Sequence, residues 1–94
     1  MIHQAARLDV CDLCHLHARI IFSDNTASGV IVNPGTAIEV LKKSIEKGKL
    51  LEIEKMAIFG QILQFILRAG RVRFALAEEH IYPKEAPCEG HYIH

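Results

Sequence analysis

Arg71-Val72-Arg73-Phe74-Ala75-Leu76-Ala77 sets Val72, Phe74 and Leu76 on one side of an extended chain and Arg71 and Arg73 on the other. A side-chain period of two is what a strand with one buried face produces. The stretch predicts a strand over 71–77, and Ala69-Gly70 just before it reads as the stop of a preceding helix. Residues 78–82 extend that strand or leave it.

The preceding helix is expected from about Leu50 to Ala69. It is apolar around most of its circumference, with only Glu54, Gln61, Gln64 and Arg68 forming a narrow polar stripe. Such a helix needs cover on two sides. A sheet and a second helix supply one side. The other side predicts a homo-oligomer formed through helix 50–69, with Ala57 and Gly60 permitting close backbone approach.

Upstream, Thr36-Ala37-Ile38-Glu39 reads as a capping box. It opens a helix over 37–47 whose apolar stripe is Ile38, Leu41 and Ile45, with Gly48 as its stop. Asn33-Pro34-Gly35 separates this helix from a hairpin in which Ala18–Phe22 pairs with Val30–Val32 across the turn cluster 23–29. Residues 6–10 read as a short strand. Alternatively, Asp9 caps a short helix from Val10 to Ala18. The elements add up to an α+β fold. It has a small, largely antiparallel sheet, made of the N-terminal hairpin and the strand near 71–77. Two helices, near 37–47 and 50–69, lie on one face of it. Residues 1–94 form a single domain.

The chemistry sits at the two ends. Cys11-Asp12-Leu13-Cys14 and Cys88-Glu89-Gly90-His91 spell C-x-x-C and C-x-x-H and use all three cysteines. Two donors three positions apart reach one tetrahedral ion, and two such pairs complete a Cys3His set. Cys11, Cys14, Cys88 and His91 are the expected ligands, with His15 and His17 as alternates for the histidine. A sulfur-rich tetrahedral site suits Zn2+, and four protein ligands leave no open position, so the site is read as structural. It would join the termini of a domain small enough to benefit from a staple. The residue after the second cysteine of a zinc-ribbon knuckle is usually glycine, whereas here it is His15. An iron–sulfur cluster is the second choice of cofactor. Cys11-Asp12-Leu13-Cys14-His15 also matches the haem c attachment string, which is short and normally used outside the cytoplasm.

Net charge is zero but uneven. Residues 31–75 hold eight basic against four acidic side chains, and residues 76–94 hold one against four. The basic middle nominates Lys42, Lys43, Lys47, Lys49, Arg71 and Arg73 as nucleic-acid contacts, although a strong binder is usually basic overall. The apolar run from Met56 to Leu67 is too short to span a bilayer. Residues 1–7 lack the apolar core of a signal peptide, and a C-x-x-C with an odd cysteine count fits a reducing compartment, so a cytoplasmic location is expected. The H-x-E of zinc deaminases, a glycine-rich phosphate loop and a thioredoxin-like order of elements are all missing, so catalysis is not the expected role. The sequence therefore points to a zinc-stabilised interaction or regulatory protein with an unidentified protein partner. A nucleic-acid-binding zinc protein is the alternative. Thiol redox, iron–sulfur or metal-handling roles are weaker ones.

Overall fold

A computed structural model describes residues 5–78. Strand β1 (Arg7–Val10) pairs antiparallel with β2 (Ala18–Ile21) in a two-stranded sheet, Leu8 facing Ile20 and Asp9 facing Arg19. The segment that follows β2 runs back beside it irregularly. Ala18 and Ile31 exchange backbone hydrogen bonds, and the Ser28 amide donates to the Ile20 carbonyl. Helix α1 (Pro34–Glu46) and helix α2 (Lys55–Glu78) follow, joined through a short 3-10 turn at Glu52–Glu54. The architecture is α+β.

Three expectations are corrected. First, residues 71–77 are not a strand; they are the last turns of α2. Ile58, Ile62, Phe65 and Ala69 are buried, and Val72 and Leu76 continue the same row at half-burial. That row steps by four and three residues, the spacing of one helix face. Val72 and Leu76 sit on it as an i,i+4 pair, so their apparent alternation is half of a helical pattern. Gly70 does not stop the helix because its face is open and the buried row does not need it.

Second, α1 begins earlier than 37. Asn33 caps it. The Asn33 side chain accepts from the Thr36 amide at 2.9 Å, and Thr36 Oγ1 accepts from the Asn33 amide at 3.0 Å, with Pro34 opening the first turn. Thr36 is thus the closing partner of the box, and Glu39 pairs with Lys43 at 3.1 Å. The buried face is turned by one position from the expected one. Ala37, Val40 and Ser44 are inside, while Ile38 and Ile45 are exposed.

Third, the main hairpin is β1–β2, with the C-x-x-C stretch as its turn. The capped helix over 10–18 does not form. The hairpin pairs both ends of the loop by backbone hydrogen bonds, which a short isolated helix of two to three turns cannot match.

One core joins everything. Ala18 and Ile20 from β2, Leu16, Phe22 and Ile31 from the loops, Ala37 and Val40 from α1, and Ile58, Ile62, Phe65 and Ala69 from α2 are its buried members. Helix α2 lies along β1. Glu54, itself buried, accepts from the Ala6 amide at 2.5 Å and from the Leu51 amide at 3.0 Å. Further along, Gln61 accepts from the Leu8 amide at 2.8 Å.

Candidate metal half-site in the hairpin turn

The turn from Cys11 to His17 is closed by its backbone. The Cys11 amide donates to the His17 carbonyl at 2.8 Å, and the His15 amide donates to the Cys11 carbonyl at 3.1 Å. The first bond continues the β1–β2 register by one more pair, so Cys11 and His17 stand opposite each other across the strands. The chain reverses at His15, which has φ 59. That is the left-handed conformation glycine adopts at low cost and other residues adopt at about 1 kcal/mol or more. Despite lacking the glycine, the turn takes up the backbone that a knuckle requires.

Two thiols come together here. Cys11 is fully buried, and Cys14 is half-buried and packs against it. The Leu16 amide points at Cys14 Sγ at 3.4 Å. Outer-shell hydrogen bonds of this kind orient metal ligands. Cys14 Sγ lies 3.7 Å from His17 Nδ1. Ligand bonds of tetrahedral zinc to sulfur and nitrogen put those two atoms about 3.6 Å apart. The contact is a thiol–imidazole hydrogen bond as it stands, at a separation a shared ion would also give. Of the two alternate histidines, buried His17 is beside a cysteine and His15 is exposed.

Among the described residues, no three His, Cys, Asp or Glu side chains converge as a metal-binding group. Two of the four expected ligands, Cys88 and His91, lie outside the described residues. The last third of α2 reaches the loop beside the half-site through one side chain. Arg73 Nη2 donates to the Val32 carbonyl at 2.6 Å and reaches the Leu16 carbonyl at 3.4 Å. Five residues separate Arg73 from Glu78, about 8 Å of helix, and the ten residues from there to Cys88 span up to about 33 Å when extended.

Arg73 is therefore a structural anchor, which sequence alternation placed on a solvent face. Arg73→Ala should destabilise the fold by about 2 kcal/mol, the scale of a charged donor withdrawn from partly buried carbonyls. Urea unfolding checks it, and a change below about 0.5 kcal/mol would contradict the anchor role.

Beneath the turn, on the face of the hairpin opposite the core, Asp9 is buried between two guanidinium groups. Its oxygens lie 3.7 Å from Arg7 and 3.6 Å from Arg19.

The basic residues nominated for nucleic acid are largely engaged already. Lys43, Lys47 and Lys49 line a groove of about 340 Å3 between α1 and residues 26–30. Lys43 is paired with Glu39, and Lys49 with Asp24 at 2.6 Å. The Lys49 ammonium, helped by the Thr26 hydroxyl, holds the Asp24 carboxyl well below the usual carboxylate range. Arg73 is engaged with the backbone. Arg71 is exposed on α2, away from the lysines in sequence.

No protein-family model, curated protein or solved structure matches the chain. No helix among the described residues is long and apolar enough to cross a membrane.

Proposed function

We propose that the chain is a small zinc-stapled interaction protein. Cys11 and Cys14 hold the ion from the hairpin turn, Cys88 supplies a third thiolate from the tail, and a histidine completes the set. The observation that carries this reading is the hairpin turn itself. It gathers two thiols, an amide aimed at one sulfur, and a left-handed residue at the knuckle position. His91 is the ligand that sequence spacing favours, and the His17 contact with Cys14 supports His17 in its place. Thiols used as metal ligands suit a reducing compartment such as the cytoplasm. A closed site offers no position for water, so the protein acts by binding another macromolecule rather than by catalysis.

Lys43 and Lys49 are paired with carboxylates and Arg73 with backbone carbonyls, which gives the nucleic-acid alternative less support. Salt-independent behaviour on heparin would remove it.

Elemental analysis of protein purified under reducing conditions, without added metal, tests the proposal. One colourless zinc per chain is expected. Replacing His17 or His91 with alanine should lower zinc retention for whichever histidine is the ligand and leave the other variant unchanged. Iron with visible absorbance would redirect the assignment to an iron–sulfur protein. A metal-free protein with a reversible Cys11–Cys14 disulfide would redirect it to thiol redox chemistry.

A further inference from the structure

Helix α2 carries a second apolar row that nothing in the described chain covers. Met56, Gly60, Leu63, Leu67, Gly70 and Phe74 follow one another at steps of four, three, four, three and four, and all six are exposed. The steps are those of a heptad seam. The seam lies on the side of α2 away from the buried row of Ile58, Ile62, Phe65 and Ala69. It bears no charge along its length. Met56 is 79% exposed, Leu67 63% and Phe74 67%.

The row is also symmetric about its own midpoint. Counting outward from position 65, Leu63 balances Leu67, Gly60 balances Gly70, and Met56 balances Phe74. A twofold contact requires that a surface be complementary to itself. Two such helices laid antiparallel across each other at position 65 bring leucine to leucine, glycine to glycine and Met56 to Phe74. The flanking positions also agree. On one flank Gln64 meets its own copy and Arg71 lies near Ala57 of the other helix, so no like charges meet there.

Area points the same way. With about 200 Å2 for each large apolar side chain, the exposed fractions of Met56, Phe59, Leu63, Leu67 and Phe74 give on the order of 600 Å2 per copy. A standard interface buries about 800 Å2 per partner. The glycines fit as well. Among the described residues, a Cβ at Gly60 or Gly70 would meet nothing within 4 Å, so their packing does not call for glycine at either position. Close approach of a second backbone does.

We infer that α2 is the dimerisation element of this protein: a second copy packs antiparallel on the Met56–Phe74 seam, with the twofold axis at the level of residue 65. The inference stands whether or not a metal joins the two ends.

Sedimentation equilibrium on the full chain tests it. The expected mass is twice the 10.5 kDa of one chain at tens of micromolar. The double variant Leu63→Glu/Leu67→Glu should be a monomer that keeps the parent's circular dichroism, because both positions are exposed in the single chain. Gly60→Leu should weaken association at least tenfold while leaving the monomer folded. Orientation is read from charges. Met56→Lys and Phe74→Glu should each weaken the dimer, and their combination in one chain should restore it, since each new cation would face the partner's new anion. A parallel pair would instead place like charges together, and a double variant weaker than either single one would overturn the antiparallel assignment. A parent that stays monomeric at that concentration would overturn the dimer itself. That result would assign the seam to residues 79–94 or to a different protein.

Discussion

Ile62→Ala should destabilise the protein by about 3 kcal/mol, while Leu63→Ala, its neighbour in sequence, should cost the isolated chain well under 1 kcal/mol. Ile62 is 2% exposed and sits among the core residues contributed by the sheet and both helices. Removing three carbons there leaves a cavity the surrounding elements can only partly close. Leu63 points out of the fold on the opposite seam. Urea denaturation at micromolar and submicromolar protein separates the two effects. The Ile62 loss should be independent of concentration, whereas any Leu63 loss should grow with concentration as association contributes to the parent. A domain of this size has a margin of about 5–10 kcal/mol, so the first substitution removes a large share of it. Equal losses for the two variants would mean that the buried and exposed faces of α2 have been confused.

Cys11→Ser is the other large effect. With zinc bound, it should abolish metal retention and lower stability by about 4 kcal/mol, the scale of cross-linking positions more than seventy residues apart. Cys11 is fully buried next to Cys14, so the substitution also leaves a hydroxyl in a sulfur-sized space. A chelator separates the two contributions. Chelation should bring the parent down to the variant's melting temperature to within the packing difference. If the parent does not respond to chelator and Cys88→Ser melts like the parent, the staple does not exist and the Cys11 loss is packing alone.

Local rules carried the sequence reading furthest. The short strand β1, β2, the i,i+4 pair of Glu39 and Lys43, and the glycine after α1 all follow from residues within a few positions of one another. The errors arose where tertiary contacts chose between two local readings. Residues 71–77 alternate well enough for a strand, yet they continue a buried helical row that begins at Ile58, and a row of six outweighs an alternation of three. The face of α1 could not be fixed because Ile38 and Val40 are equally apolar; packing buried Val40 and left Ile38 in solvent. Arg73 looked like a solvent cation because its partners, the carbonyls of Leu16 and Val32, are far away in sequence. That α2 is apolar on two sides was legible in composition. Which residues form each side was not, because that depends on where α2 meets β1.

Glu54 and Gln61 have a consequence for how the protein behaves in a crowded solution. A two-stranded sheet exposes backbone donors along its outer strands, and such donors recruit other extended chains into growing sheets. On the β1 side, two of those donors, the amides of Ala6 and Leu8, are already occupied by side chains of the 3-10 turn and α2. A carboxylate and a carboxamide thus stand in for the missing neighbouring strand without offering a new edge of their own. Two of the donors on that flank are closed to an incoming strand, which shortens the stretch of edge on which a fold with very little β-structure could recruit other chains.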